Sequence, residues 1–495
     1  MREQAVLTLD VGLTNCKASL FGVDGVLLAQ QARRYPTSTP QPDRSEQDPA
    51  HWWEALAAAT RELLAMPGVG SRDILAVSVT AHMHGLIALD ERLQPLTRCW
   101  TLFDRRAEAE AREARQRLGP GEAYRRTGGR LEGYTPAAKI AWLQEHESDL
   151  LARTSLFLAP KDMLRVMLGG EPVTDPVDAA GTLLWNLATR EWDESLTAAV
   201  GARPDQLPEV REPWAEAGRL SPEAAGALRL PPGLPLVVGS GDDIEVLGAG
   251  VVAPGQALEH IGTTGTVLVC TDRPVFDPAE RLEVYPHPIQ GRYLLGGATN
   301  AAGRSLEWAA RLLGTGDPEL PLTYPPPEGA PEPPVYLPLI KGERGLLWRA
   351  GATGAFVGLR EEHGPCELAH AVYEGVALSL KEILEAAATL GVLPQALTAG
   401  TPLDHRAWAA LRADCYGVPL RGLICADPTA LGAALPALVN QRVFESLEEA
   451  SAACCAPGET VTPDPARSEA YCRRFAAYRA AVAALLPTFP GAADD

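Results

Sequence analysis

Ala5-Val6-Leu7-Thr8-Leu9-Asp10-Val11-Gly12-Leu13-Thr14-Asn15 opens the chain as an apolar strand running into a Gly/Thr/Asn turn, and Lys17 to Phe21 continues as a second strand. Asp24-Gly25 is a two-residue hairpin signal leading into a third strand, Val26 to Gln30. The same pattern returns in the second half. Gln256-Ala257-Leu258-Glu259-His260-Ile261 leads into Gly262-Thr263-Thr264-Gly265-Thr266, and Val267 to Cys270 returns as a strand. A strand, a tight turn and a return strand expose backbone N–H groups and hydroxyls at one point, which suits phosphate oxygens. Two such units, one opening each half, predict an α/β chain of two related halves whose turns serve one triphosphate across a cleft. Asp10, at the first strand's tip, suits holding Mg²⁺ through water.

Midway, the apolar run Leu236-Val237-Val238 ends in Gly239-Ser240-Gly241-Asp242-Asp243. A strand that delivers a carboxylate at the tip of a glycine turn is a way to hold a general base, here Asp242. The competing reading is that Asp242 or Asp243 caps a helix starting at Ile244. The residues alone leave both open.

Composition narrows the function. The chain has 495 residues, too many for one ordinary core, with 46% hydrophobic content. Its formal charge of −19 and lack of a basic run argue against nucleic-acid or membrane-surface partners. Nine scattered cysteines without a C-x-x-C pair fit a reducing compartment. Met1 to Asp10 lacks a signal-peptide pattern, and no run of about 18 apolar residues occurs, so a cytoplasmic location is expected.

Between the two hairpin units, Asp48-Pro49 starts a helix through Leu64. Ile74 to Thr80 is a strand ending in Ala81-His82-Met83-His84-Gly85, after which Leu86 to Leu89 resumes. This stretch reads as a ligand wall or as satisfied structural histidines, and offers no third ligand for a metal. Asp104-Arg105-Arg106 precedes a helix from Ala107 to Leu118 and by itself reads as a solvated charged face. Leu228 to Pro235 is Pro-rich and marks the expected boundary between domains 1–232 and 233–487, while Pro318 to Pro338 reads as an inserted loop. Later come a long helix from Glu367 to Leu390, a strand Leu397 to Ala399 ending at Gly400, and a helix from Pro428 to Val439. The tail after Pro487 is expected to fray.

Two long patterns carry a resemblance. Tyr134-Thr135-Pro136-Ala137-Ala138-Lys139-Ile140-Ala141-Trp142-Leu143-Gln144-Glu145-His146 is one. Gly354-Ala355-Phe356-Val357-Gly358-Leu359, followed after seven residues by Glu367-Leu368-Ala369-His370-Ala371-Val372-Tyr373-Glu374, is the other. Both fit the signatures of the FGGY family of carbohydrate kinases, and the resemblance runs from about Val6 to near Leu438. Met83-His84-Gly85, Thr127-Gly128, Pro160-Lys161-Asp162, Asp178-Ala179-Ala180-Gly181-Thr182 and Gly342-Glu343-Arg344 are most similar to its xylulokinase branch. The resemblance implies two actin-like, ribonuclease-H-like α/β domains and ATP-dependent phosphorylation of a sugar hydroxyl, foremost D-xylulose to D-xylulose 5-phosphate. It implies Asp242 as general base, Asp10 with Asp242 at the Mg²⁺, and Met83, His84, Asp104, Arg106 and Asp243 at the sugar. Gly12, Thr14, Asn15, Lys17, Gly262, Thr263, Thr264, Gly303 and Gly400 fall to the nucleotide side. Similar kinases are commonly dimers, so a homodimer is expected.

The chain also departs from the family. Asp243 stands where Asn is common, so two adjacent carboxylates should titrate jointly and the choice of sugar is affected. His82 replaces a usual Gln, and Leu13 a usual Thr. The family's Gly-Gly-Gly-Ala loop corresponds to Gly400-Thr401-Pro402-Leu403, followed by Asp404 and His405. Proline fixes φ and removes a donor, so adenine recognition is expected to weaken. A kinase for another ketose or polyol, such as ribulose, L-xylulose or erythritol, is the nearest alternative. A non-catalytic sugar- or nucleotide-binding relative is the other.

Overall fold

The structure is a computed structural model and describes residues 4–69, 73–119, 121–314, 322–327, 329–400 and 402–489. Met1 to Glu3, parts of the Pro318 to Pro338 stretch, Thr401 and residues 490–495 of the tail lie outside the described residues. The chain divides into two units. The first comprises Met1–Val252, Val284–Tyr293 and Asp427–Cys455, and the second Ala253–Glu283, Leu294–Ala426 and Ala456–Asp495.

The first unit is built on β1 (Gln4–Val11), β2 (Asn15–Gly22) and β3 (Leu27–Arg34), antiparallel neighbours joined by the Gly12–Thr14 turn and by the turn that carries Asp24-Gly25. Gly25 adopts φ +79°, a left-handed conformation open to glycine without strain. Strand Asp73–Ala81 pairs with β1 in parallel, and Pro235–Val237 pairs in parallel with Asp73–Ala81. Glu216–Arg219 closes the far edge antiparallel. Helix α1 (Pro49–Leu64) packs on β2 and β3. Asp48 accepts the Ala50 N–H at its start, and the Pro at N1 loses no bond, since that N–H has no partner within a helix. Leu7, Leu9, Trp52, Leu56, Leu63, Val77 and Val79 form one buried cluster between helix and sheet. Each large apolar side chain so buried contributes roughly 1.5–3 kcal/mol.

In the second unit, Ala257–Ile261 pairs antiparallel with Gly265–Thr271 and in parallel with Leu397–Ala399. Leu420–Leu423 follows in parallel and Pro457–Val461 antiparallel. The hairpin-plus-parallel-strand arrangement of the first unit is repeated. Helices Pro365–Thr389 and Pro465–Leu485 belong to this unit, and the second of them was not read from sequence. Its buried residues Tyr471, Phe475, Tyr478 and Val482 recur at helical spacing, but alanines spread around the helix blur the contrast between its faces.

Residues 233–252, which the sequence reading places at the start of the second domain, lie in the first unit. The reason is strand pairing: Leu236 stands opposite Val77, so the turn carrying Asp242 belongs to the first sheet. Among the described residues no helix is long and apolar enough to cross a membrane.

Candidate active site

In the first unit β1, Asp73–Ala81 and Pro235–Val237 run parallel, so their carboxyl ends lie at one edge of the sheet and whatever follows each strand converges there. Those residues are Asp10, Met83 with His84, and Asp242. Gly241 marks the closeness of approach, because a methyl group on it would lie 2.5 Å from Met83 Cγ. Gly241 also holds the cap position of the short 3₁₀ turn Asp242–Ile244. Asp242 therefore caps no helix, and among the described residues it enters no ion pair, which removes the capping reading. Desolvation by the surrounding protein, then the carboxylates of Asp243, Asp10 and Glu245, raise its proton affinity above that of an ordinary aspartate. Asp242 keeps a solvent-exposed face, so water moderates the desolvation and the rise is smaller than full burial would give.

Asp10 stands opposite Lys17 in the β1–β2 register. Lys17 Nζ lies 3.3 Å from Asp10 and 2.6 Å from Asp427, and Gln30 Nε2 donates to the same Asp427 oxygen at 2.8 Å. Asp427 accepts the Ala430 N–H at the start of helix Pro428–Asn440. Lys17, expected beside phosphate, is thus held between two carboxylates. Burial raises the Asp10 proton affinity, and Lys17 opposes that rise. The turn beyond it is closed by Gly12 N–H donating to Asn15 O at 3.0 Å, and Thr14 is exposed at its tip.

His84 adopts φ +60°, and its ring is fixed by Nδ1 against Gly181 O at 2.9 Å, Nε2 near the Tyr285 hydroxyl at 3.4 Å and an edge contact with Tyr134. Met83 is 6% exposed. Lys139 is fully buried and donates to the carbonyls of His84, Trp100 and Thr101 at 2.8, 3.0 and 2.9 Å. Burial pushes its pKa down to about 7, with Asp104 opposing. Asp104 and Arg106 are not the solvated face that their charge pattern implies. Arg106 donates to both Asp104 oxygens at 2.8 Å and to Glu46 at 2.6 Å, and lies 3.8 Å over the Trp100 ring. Asp104 also accepts the Ser45 N–H at 2.9 Å. His82 is buried, with Nε2 3.2 Å from Gln47 Oε1.

The second unit carries the other turn. Gly262 N–H donates to Thr264 O at 2.9 Å, and Thr263 is exposed. Gly303, at the start of the 11-residue helix Gly303–Leu313, donates its N–H to Gly262 O at 2.9 Å. A methyl group on Gly303 would lie 2.4 Å from that oxygen, so only glycine lets the helix start dock on the turn. The Arg304 N–H likewise donates to Thr263 O at 3.3 Å, so the helix start braces the turn, and the exposed Thr263 is what the turn offers to phosphate oxygens. Gly400 N–H donates to Glu259 O at 2.7 Å, and the buried Glu259 carboxylate is held by Arg412 and Tyr416 at 2.5 Å each. His405 accepts the Trp408 N–H at 3.1 Å and caps helix Arg406–Tyr416.

The model of the FGGY family of carbohydrate kinases matches in both parts, the N-terminal domain over residues 5–248 and the C-terminal domain over 259–440. The chain belongs to the FGGY family of carbohydrate kinases. A xylulose kinase of Klebsiella pneumoniae is 33% identical over 83% of this kinase and 85% of that protein. A ligand-bound xylulose kinase of Lactobacillus acidophilus superposes with a TM-score of 0.88 at 26% identity, covering 98% of this chain and 99% of that one. A gluconate kinase of the same organism superposes with a TM-score of 0.88 at 25% identity, covering 98% of each chain. The two-domain α/β fold of sugar kinases is thereby shown.

Sequence reasoning left three parts of this kinase's site unassigned. Asp427, which holds Lys17, is 410 residues from it in the chain, and Gln30 donates to the same Asp427 oxygen; the Asp427-Pro428 cap signal tells nothing of either partner. Lys139 was read only as one residue of a signature. Asp178 was read only as part of a branch motif, although its carboxylate adjoins the base turn. A methyl group on Gly241 would lie 2.9 Å from Asp178 Oδ1.

Proposed function

We propose that this kinase transfers the γ-phosphoryl group of ATP to the terminal hydroxyl of a ketopentose, D-xylulose, giving D-xylulose 5-phosphate. The observation that carries the reading is Asp242: an aspartate just after a parallel strand, without a capping role or, among the described residues, an ion pair, next to the Gly241 that packs on Met83, and with raised proton affinity. Phosphoryl transfer asks little covalent work of the protein and much positioning, with a base to take the hydroxyl proton late. Asp242 takes that proton. Met83 and His84 wall the acceptor side, and Thr14 and Thr263, each exposed at the tip of a Gly/Thr turn, offer hydroxyls suited to phosphate oxygens. Asp10 and Asp242 would hold Mg²⁺. Two carboxylates plus phosphate and water oxygens suit its hard, octahedral preference, and among the described residues no group of three or more His, Cys, Asp or Glu offers an all-protein cage. When bound, the ion neutralises charge on the donor phosphates.

An acceptor other than D-xylulose is the second reading, favoured by Asp243 where an amide is usual. The carboxylates of Asp10, Asp242, Asp243 and Glu245 act on one another and repel an anionic acceptor, which favours a neutral ketose or polyol over an aldonate. A coupled ADP-release assay with Mg-ATP across D-xylulose, L-xylulose, D- and L-ribulose, erythritol, glycerol and gluconate tests this. Strong turnover on D-xylulose, lost by at least 10³-fold in a folded Asp242→Asn variant, is expected. Preference for gluconate would refute the charge argument, and full activity of Asp242→Asn would remove the base assignment.

A further inference from the structure

Asp178 lies on the short helix Pro176–Gly181, whose start is fixed by Asp175 accepting the Val177 and Asp178 N–H groups. Asp175 also accepts the Ser240 hydroxyl at 2.6 Å, so this helix is tied directly to the turn that carries Asp242. The other end of the helix is tied to the sugar wall. Gly181 O meets His84 Nδ1 at 2.9 Å, and a methyl group on Gly181 would lie 3.0 Å from Met83 Cε. Asp178 is 4% exposed. One of its oxygens adjoins Gly241, and the other accepts no hydrogen bond, although the buried Lys161 ammonium stands 3.5 Å away.

The surrounding charges do not balance. Lys161 and Arg165 face Asp162, Asp175 and Asp178: Lys161 lies 3.2 Å from Asp175, and Arg165 lies 3.1 Å from Asp162. With two cations against three buried carboxyls, one carboxyl tends to keep a proton. Burial first, then the carboxylates of Asp175, Asp162 and Asp242, place that tendency on Asp178. Asp178 and Asp162 line a narrow recess with His84, Gly181, Thr174 and Thr182, and among the described residues Asp162 contributes a second buried oxygen without a hydrogen bond. A buried carboxyl oxygen left without a hydrogen bond is costly, and one on a helix tied at one end to the base turn and at the other to the sugar wall is a place for a ligand hydroxyl.

We propose that the Asp178 carboxyl is a specificity-determining group that hydrogen-bonds a hydroxyl of the acceptor sugar, alongside His84 and next to the Asp242 turn. The inference rests on the sugar-kinase reading above. An amide keeps the shape of the carboxyl and one acceptor oxygen, so Asn is its nearest mimic and a methyl group is none.

The test compares wild type, Asp178→Asn and Asp178→Ala on D-xylulose and its monodeoxy analogues, measuring sugar KM, ATP KM and kcat. Asp178→Asn is expected within about threefold of wild type. Asp178→Ala is expected to raise the sugar KM at least tenfold, with ATP KM unchanged and kcat within threefold. One deoxy analogue should bind wild type as weakly as it binds Asp178→Ala, because the hydroxyl that Asp178 reads is missing. Equal sugar KM in wild type and Asp178→Ala, or a defect of the same size for every analogue, overturns the proposal. Should Asp178→Ala lack a cooperative unfolding transition, hydrogen exchange of wild-type residues 176–181 decides: slowing on adding D-xylulose without nucleotide is required, and no slowing overturns it. Failure of wild type to phosphorylate any sugar of the panel would break the kinase reading instead. That outcome is distinct from turnover indifferent to residue 178.

Discussion

Replacing Asp243 by Asn tests the electrostatics of the base directly. Asp242 must be ionised to accept the hydroxyl proton, so kcat/KM rises with pH through its pKa in the free enzyme. Asp243 is the first of the charges that raise that pKa, ahead of Asp10 and Glu245. Removing a negative neighbour lowers the pKa, so the acidic limb of the profile moves toward lower pH. Asp243 is half-buried and Asp242 keeps an exposed face, so the effective dielectric lies between the protein-surface and bulk-water values. For carboxylates roughly 6 Å apart at a dielectric of about 40, Coulomb's law gives about 1.4 kcal/mol, or about one pKa unit. The assay is kcat/KM for the best sugar of the panel from pH 5 to pH 9. The expected result is a limb displaced about one unit to lower pH and activity at the foot of the wild-type limb raised severalfold, approaching tenfold. A limb that stays in place, or moves to higher pH, refutes the view that Asp243 acts on the base through its charge.

Two further outcomes follow from the packing. Gly303→Ala places a methyl group against the Gly262 carbonyl, so the helix start must withdraw from the turn; ATP KM should rise at least tenfold while sugar KM stays within twofold and the circular-dichroism spectrum is unchanged. His82 is held neutral because burial pushes its pKa down to about 4, against about 6.5 in the unfolded chain. The unfolded state therefore binds the extra proton between those values, and the stability that His82 contributes is present above the unfolded pKa and lost as pH falls toward the folded one. Lowering pH from 7.5 to 5 should cost wild type about 2 kcal/mol more than it costs His82→Gln, read by urea denaturation. Equal losses in the two proteins would show that His82 does not carry this dependence.

The sequence by itself determined the parts of the molecule that rest on local pattern. The hairpin of β1 and β2, its counterpart around Gly262 and the capped start of α1 are all legible, because turn residues and caps act over a few positions. The two signatures carried the family. What only the tertiary structure decided depends on contacts between distant segments. Pro235–Val237 is three residues long, and its pairing with Asp73–Ala81, not its composition, assigns Asp242 to the first unit. Asp104 and Arg106 read as solvent-facing because charge next to a helix start usually is, yet a stack on Trp100 and pairing with Glu46 bury them. Asp427 meets Lys17, and Asp178 meets the base turn, through folding of the sheet edge alone. A lone aspartate carries no local mark of its partner, because an ion pair or a close packing contact depends on distance in space and not on separation along the chain.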